Sequence, residues 1–224
     1  MKRWLVGLST AALAAVAGGS ASAATFITFS SYQTALNAGE SLVTNFDSGA
    51  VAPGFSAGGN ATLMTGSSNL GAAPATSATT RDLTQYLAVQ AGQDFTLTGG
   101  PLSEISFYVG SLDTYNTITF TGPGGFTQSF TGADLNAATA ASDGSNGDQS
   151  AASTNGRYTF TFDQAVTGVR LDSSSPSFEV SDIGAIAFAS AGGVPEPAAW
   201  SLMILGFGGV GTSLRQKRSR TATA

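Results

Sequence analysis

The sequence predicts an all-β domain, a jelly-roll-like antiparallel β-sandwich, between two terminal segments of different character. Short runs of alternating apolar and polar residues recur through the middle of the chain, as in strands with one buried face. Gly, Asp and Asn separate these runs and favour turns between them. Because about ten such runs fit one domain, two packed sheets with alternate side chains buried are expected.

The clearest strand is 102–109, where Ile105, Phe107 and Val109 share one face. The same period of two indicates further strands at 116–121, 126–130, 158–162, 169–171 and 178–180. Weaker alternation marks additional candidate strands at 26–29, 42–46, 61–64, 86–89 and 95–97. The sheets are therefore expected to take up most of the middle of the chain.

Two short helices and two loop regions complete the prediction. Helices are expected at 31–37, with Ser30 or Ser31 as the cap, and at 133–140. The segment 140–155 has no large apolar residue and is predicted to be a mobile loop. Residues 49–80 are rich in small side chains and predict loops or loose strands.

The charge is distributed unevenly. The whole chain has a net charge of −5, but six of its nine basic residues lie in the terminal segments. Residues 25–194 contain three arginines and thirteen carboxylates, a net charge of −10. Nucleic acid is therefore excluded as a partner of the middle region.

The chain contains neither cysteine nor histidine. Disulfides and thiolate metal sites are excluded, although an exported protein could have used disulfides. The absence of histidine removes the commonest general base and the commonest metal ligand. We therefore expect no cofactor and a non-enzymatic protein.

The N-terminal 23 residues have the anatomy of a signal peptide. Two cations follow Met1, an apolar run covers 4–17, and small residues end at Ala21 and Ala23. Signal peptidase is expected to cut after Ala23. An uncleaved membrane anchor is the alternative, but the apolar run is shorter than the roughly 20 residues that a span needs.

The other end combines a Pro-Glu-Pro sequence, an apolar run and a basic tail. Residues 198–214 are uncharged and predict a transmembrane helix, with Trp200 near one interface. The basic residues that follow predict a cytoplasmic C-terminus, with the body outside: Arg215, Lys217, Arg218 and Arg220. Pro195 and Pro197 hold Glu196 in an extended chain just before the membrane.

Segment 193–220 resembles the PEP-CTERM sorting domain in its PEPxxWA variant. Ser201 and Leu202 differ from the usual Ala and Met of that variant, and eight residues match it: Pro195, Glu196, Pro197, Trp200, Met203, Gly206, Phe207 and Gly208. The resemblance implies recognition by an exosortase and cleavage near the Pro-Glu-Pro. It also implies an inner-membrane intermediate and delivery to the surface or extracellular matrix of a Gram-negative bacterium.

The body, 24–192, is similar over much of 26–190 to a recurrent group of exosortase-dependent surface proteins. The similarity is clearest in YLAVQAGQDFTLTGGPLSEISFYVGSLDTYNTITF and in FEVSDIGAIAF. It implies a secreted β-sandwich and supplies no catalytic or binding residues to carry over.

Two loops contain candidate ligand-binding residues. Asp143, Asn146 and Asp148 are a weak calcium candidate, since three oxygen ligands fall short of the six to eight that calcium takes; a solvated turn is the alternative. The loop containing Asp113, Tyr115 and Asn116 could bind a sugar by stacking and hydrogen bonding, with a plain hairpin loop as the alternative.

Three functions remain open for the body. The leading hypothesis is a surface or matrix protein associated with exopolysaccharide, and the first alternative is a carbohydrate-binding module. The second is an extracellular hydrolase, which needs converging acids such as Asp113, Glu179 or Asp182. Glu179 and Asp182 could instead form structural ion pairs with Arg157 or Arg170.

Overall fold

The computed structural model describes residues 25–138 and 146–189. The predicted signal peptide, the sorting segment 193–220 with its helix at 198–214, and Asp143 lie outside these residues. Within the described part, none of the helices is both long and apolar enough to span a membrane.

The described residues form an antiparallel β-structure with ten strands and one α-helix, which confirms the all-β prediction. The helix α1 covers Gly132–Ala138, and a short 3-10 turn covers Pro123–Gly125. The strands are β1 Thr25–Ser31, β2 Ser41–Thr44, β3 Phe55–Gly59, β4 Thr62–Thr65, β5 Gln85–Val89, β6 Asp94–Gly110, β7 Asn116–Thr121, β8 Thr127–Thr131, β9 Gly156–Ser173 and β10 Phe178–Ala187.

Hydrogen bonding joins these strands into one continuous sheet. The order is β4-β5-β10-β6-β9-β7-β8, with β1 added to β9, β2 to β10 and β3 to β6. The long strands β6 and β9 pair with each other and carry shorter strands at both ends. Their register shifts between Thr98 and Leu102, where a bulge can redirect the chain. The prediction of separate strands at 95–97 and 102–109 is thus replaced by one long, irregular strand.

Aromatic side chains join the two ends of the long strands into one core. Phe120 of β7 lies 6.3 Å from the Phe107 ring of β6 and 4.7 Å from the Phe160 ring of β9. Ile105, Phe107 and Val109 are fully buried, as the alternation predicts. Such contacts require the sheet to fold back on itself in a sandwich-like arrangement.

The predicted helix at 31–37 is wrong. Tyr32 has a positive φ of 53°, and the carbonyls of Thr34 and Ala35 accept hydrogen bonds from Arg157 instead of helix amides. The second prediction is confirmed over Gly132–Ala138. Asp134 accepts a hydrogen bond from the amide of Thr131 at 2.8 Å, which helps to start that helix.

Candidate functional site

A polar cavity of about 290 Å³ lies where β10 meets the loops that follow β4, β6 and β9. We call it the Glu179 pocket. Most of its lining is polar, and among the described residues around it none is a lysine or arginine: Ser68, Asn69, Gly71, Ala72, Ser111, Asp113, Tyr115, Gly147, Gln149, Pro176, Ser177 and Glu179. A hydrophilic ligand suits this lining better than an apolar one.

Glu179 is the most buried carboxyl group of the pocket. It sits between β5 and β6, opposite Ala88 and Gly110, and is only 3% exposed. The Ala72 amide donates to its Oε1 at 3.0 Å, the Ser111 hydroxyl donates to its Oε2 at 3.0 Å, and the Ser177 hydroxyl also donates to Oε1. Neutral donors therefore fix the carboxyl group in place.

The pKa of Glu179 is raised to about 7. Burial is the main cause, because it penalises the charged form. The hydrogen bonds from Ser177, Ala72 and Ser111 lower the pKa, while the charge of Asp113 raises it. Both protonation states of Glu179 are consequently populated near neutral pH.

Asp113 and Tyr115 also line the pocket, from the loop between β6 and β7. Burial raises the pKa of Asp113, and the nearby Tyr115 hydroxyl lowers it. The Tyr115 hydroxyl donates to the carbonyl of Pro176 at 2.7 Å. Burial and the nearby Asp113 also raise the pKa of Tyr115, so the phenol stays protonated at neutral pH.

The described part of the predicted polar loop before β9, 146–155, has neither helix nor strand and forms hydrogen bonds with the loop that contains Asp113. Asn155 is fully buried, and its Oδ1 accepts from the amides of Ala75 at 2.9 Å and Ser111 at 3.1 Å. These bonds support Ser111 in the left-handed region, at φ 40°. The Gly147 amide donates to the carbonyl of Leu112 at 3.0 Å.

The structure separates the candidate residues of the sequence into two groups. Asp113, Tyr115 and Glu179 line one pocket, as a sugar site or a hydrolase would require. Asn116 is structural, because it is buried and its Nδ2 donates to the Ser173 hydroxyl at 3.2 Å. Asp182 lies outside the pocket lining and pairs with Arg157.

Arg157 on β9 is the centre of a buried polar cluster that also involves β6 and β10. Its side chain is fully buried, and its Nη2 lies 2.7 Å from Asp182 Oδ1. Its Nη1 donates to the Ser106 hydroxyl at 2.9 Å, and the cation lies 6.0 Å from the centre of the Tyr108 ring. Burial raises the pKa of Asp182, and the charge of Arg157 opposes this. The structural alternative is therefore confirmed for Asp182.

The other predicted pairing is not formed. Arg170 pairs with Asp94 at 3.2 Å and with Asp172 at 2.6 Å, and its side chain is 53% exposed. Glu179 accepts its hydrogen bonds from serine hydroxyls and a backbone amide. The sequence allowed either partner, because it does not show that β6 lies between β9, which carries both arginines, and β10, which carries Glu179 and Asp182.

The weak calcium candidate serves as a turn in its described part. Asn146 Oδ1 accepts from the Thr114 amide at 2.8 Å. Asp148 Oδ1 accepts from the amides of Ser150 at 2.7 Å and Ala151 at 3.0 Å, and these bonds lower its pKa. Asp143 lies outside the described residues. Within 25–138 and 146–189, no cluster of three or more acidic side chains could hold a metal ion.

A larger groove of about 460 Å³ lies near the end of β10. Its lining includes Leu42, Phe55, Leu102 and Phe188, without a titratable side chain. The groove therefore lacks the groups that acid–base chemistry or charge recognition needs. The Glu179 pocket is the better candidate for a functional site.

No family model and no curated protein matches the chain. Among solved structures, one titled "Peptidoglycan O-acetylesterase in action, 5 min" is 16% identical, with a TM-score of 0.33. The match covers 66% of this chain and 33% of that chain, so this chain spans about a third of that protein. A similarity at this level assigns neither an activity nor a site.

Proposed function

We propose that this chain is an exported, non-enzymatic cell-surface protein whose jelly-roll-like β-sandwich binds saccharide in the Glu179 pocket. Signal peptidase removes 1–23, and an exosortase acts at the Pro-Glu-Pro of segment 193–220, whose helix at 198–214 holds the intermediate in the inner membrane. Both steps are supported by the terminal sequence patterns. The mature protein resides on the surface or in the extracellular matrix, in contact with exopolysaccharide.

The polar lining of the Glu179 pocket carries the binding proposal. Saccharide hydroxyls both donate and accept hydrogen bonds, and the pocket offers carboxyl, amide and hydroxyl groups from Asp113, Gln149 and Ser177. Tyr115 adds a partly exposed ring on which a sugar face can pack. The volume of about 290 Å³ lies just below the range of ligand pockets, roughly 300–1,000 Å³, which suits one or two sugar units of a polymer.

Titration of the full-length chain in detergent with exopolysaccharide fragments tests this binding. We expect saturable binding that Tyr115→Ala weakens about tenfold, because it removes a packing surface worth on the order of 1 kcal/mol or more. Arg170→Ala is the control, since Arg170 is exposed and not part of the pocket lining. Failure of every fragment to reach saturation would rule out the binding proposal.

Mass spectrometry of the mature protein tests the sorting proposal. The expected N-terminus is Ala24 or Thr25, and the expected C-terminus lies near Pro195. Replacing Glu196 with Ala should leave the precursor in the inner membrane, since the lone carboxylate between two prolines is then absent. An intact 215–224 tail on surface-displayed protein would contradict exosortase processing.

A specific observation also favours the hydrolase alternative. Asp113 and Glu179 line one pocket, and a carboxyl group with a pKa of about 7 suits a general acid. Incubation with polysaccharide should then release new reducing ends, and Glu179→Gln should abolish their release. If wild-type protein and buffer release the same number of ends, the non-enzymatic proposal stands.

A further inference from the structure

We propose that the Glu179 pocket selects saccharides that carry a protonated primary amine, that is amino sugars, over neutral and acidic saccharides. This inference deepens the proposed saccharide binding and rests on it.

The pocket presents two carboxyl groups and no cationic side chain among its described lining residues. None of the three arginines of the described part lines the pocket. Arg157 pairs with Asp182, and Arg170 pairs with Asp94 and Asp172. Residues 25–194 also have a net charge of −10. A uronate or sulfated polymer would therefore be repelled both locally and by the whole domain.

An ammonium group of a ligand could serve as the cationic partner of the Glu179 and Asp113 carboxyl groups, which line the pocket without a cationic side chain. It offers three N–H donors, and Glu179, Asp113 and the amide oxygen of Gln149 are acceptors on the pocket lining. Hydrogen bonds to ionised groups are the stronger kind. The neutral donors Ser111, Ser177 and Ala72 already hold the Glu179 carboxyl group in place, so binding requires little reorganisation.

Ammonium binding also predicts a proton release. A cation beside Glu179 favours its ionised form, and so does one beside Asp113. The other ionisable groups that act on Glu179 or respond to its charge are Tyr86 and Tyr115, and both have raised pKa values and stay neutral. Near pH 6.5, where part of Glu179 is protonated, an amine that enters the pocket should therefore displace a proton.

Calorimetric titration of the full-length chain in detergent at pH 6.5 tests the inference. The probes are a glucosamine tetramer, its fully N-acetylated counterpart and a galacturonic acid tetramer. We expect the amine to bind at least about tenfold more tightly than the acetylated tetramer, and the acid to show no saturation. In buffers of different ionisation enthalpy, the wild type should release more protons on amine binding than Glu179→Gln does, because the comparison cancels any proton that the amine itself takes up.

Glu179→Gln should reduce the preference for the amine to about threefold or less and abolish the Glu179 proton release. Glu104→Gln is the matched control, because it makes the same substitution on β6, whose following loop lines the pocket, at a position outside the lining. Its amine preference should equal that of the wild type.

Three other outcomes would contradict amine selectivity, saccharide binding or both. If the acetylated tetramer binds as tightly as the amine, the inference fails and saccharide binding stands. If none of the three tetramers saturates, both fail. If Glu104→Gln loses the preference as strongly as Glu179→Gln does, the attraction is a property of the whole acidic surface and the pocket does not select the amine.

Discussion

Glu179 and Asp182 lie on the same strand, three positions apart, and both are carboxyl groups shielded from solvent, yet their surroundings differ. Asp182 has a buried arginine at 2.7 Å that also fixes the 34–35 backbone and Ser106. Glu179 has only hydroxyl and amide donors and borders a cavity. A charged partner within the fold makes one carboxylate structural, whereas the other keeps the capacity to bind a cation from outside.

The largest expected effect is a loss of stability when the Arg157–Asp182 ion pair is broken. Arg157→Met leaves Asp182 without its cation and removes hydrogen bonds to two carbonyls and a hydroxyl. Loss of one partner from a buried pair costs about 3–5 kcal/mol, so the free energy of unfolding should fall by that amount. Urea unfolding followed by far-UV circular dichroism measures it.

The double variant Arg157→Met with Asp182→Leu is the control for that prediction. It removes both charges together and should recover part of the lost stability, since no uncompensated carboxylate remains. A single variant within about 1 kcal/mol of the wild type would show that the cluster is not a structural centre.

The second effect concerns the pH dependence that Glu179 gives the fold. Its pKa rises from 4.5 in an ordinary environment to about 7, so the folded state keeps a proton that the unfolded state loses near pH 4.5. Stability should therefore fall as the pH rises from about 4.5 to about 7, by on the order of 3 kcal/mol. Glu179→Gln should lack this part of the decrease.

Unfolding measured at pH 5 and pH 8 in wild type and Glu179→Gln checks the prediction. Burial also raises the pKa of Asp113, Asp172 and Asp182, so both proteins should lose some stability with rising pH. The difference between them isolates Glu179. Identical pH profiles would mean that Glu179 ionises at an ordinary pH.

A smaller effect on stability is expected from alanine at two glycines with left-handed backbone, of which only Gly147 lies beside Asp113. Gly147 has a φ of 66°, and a Cβ there would lie 2.2 Å from Asp113 Oδ1. Gly124 has a φ of 69° and nothing within 4 Å of such a Cβ. Gly124→Ala should cost about 1–2 kcal/mol of stability, because it requires the left-handed conformation, and Gly147→Ala should cost at least as much, because the Asp113 carboxylate must also move.

Only Gly147→Ala should also weaken binding of the glucosamine tetramer, by about tenfold, because the Asp113 carboxylate must move. Calorimetry of the two variants side by side provides the measurement. If both variants bind the tetramer equally tightly, Asp113 does not contribute to the ligand site.

The smallest effect is expected at the exposed ion pairs of β9. Arg170→Ala removes contacts to Asp94 and Asp172, but its side chain is 53% exposed and solvent screens these pairs. The loss should stay within about 1 kcal/mol, measured by the same urea unfolding. A loss approaching that of Arg157→Met would show that burial does not separate the two arginines.

The strands were the part of the fold most open to prediction. The run 116–121 matches β7 at both ends, since alternation and flanking turn residues act locally. The merging of 95–97 with 102–109 was missed, because Gly99, Gly100 and Pro101 resemble a turn in sequence but form a bulge in β6. Strand β3 lies in a stretch of small residues and is defined by its pairing with β6.

The candidate site was predicted only as separate residues. The hydrolase alternative predicts that Asp113 and Glu179 converge, and both line the pocket. The roles of Ser111, Ser177 and Asn155 were missed, because isolated serines and asparagines in a chain rich in them carry no local signal. The Asn155-Gly156 pair directly before a strong strand was the one available hint of a fixed loop end.

By itself, the sequence determined the all-β class, the acidic character of the body and the exclusion of thiol and histidine chemistry, because periodicity and composition are properties of the chain alone. Its terminal patterns support the sorting proposal in the same way. Only the tertiary structure decided that Asp182 has an arginine and Glu179 does not. Partners far apart in sequence meet through strand register, and burial sets the pKa of each carboxyl group.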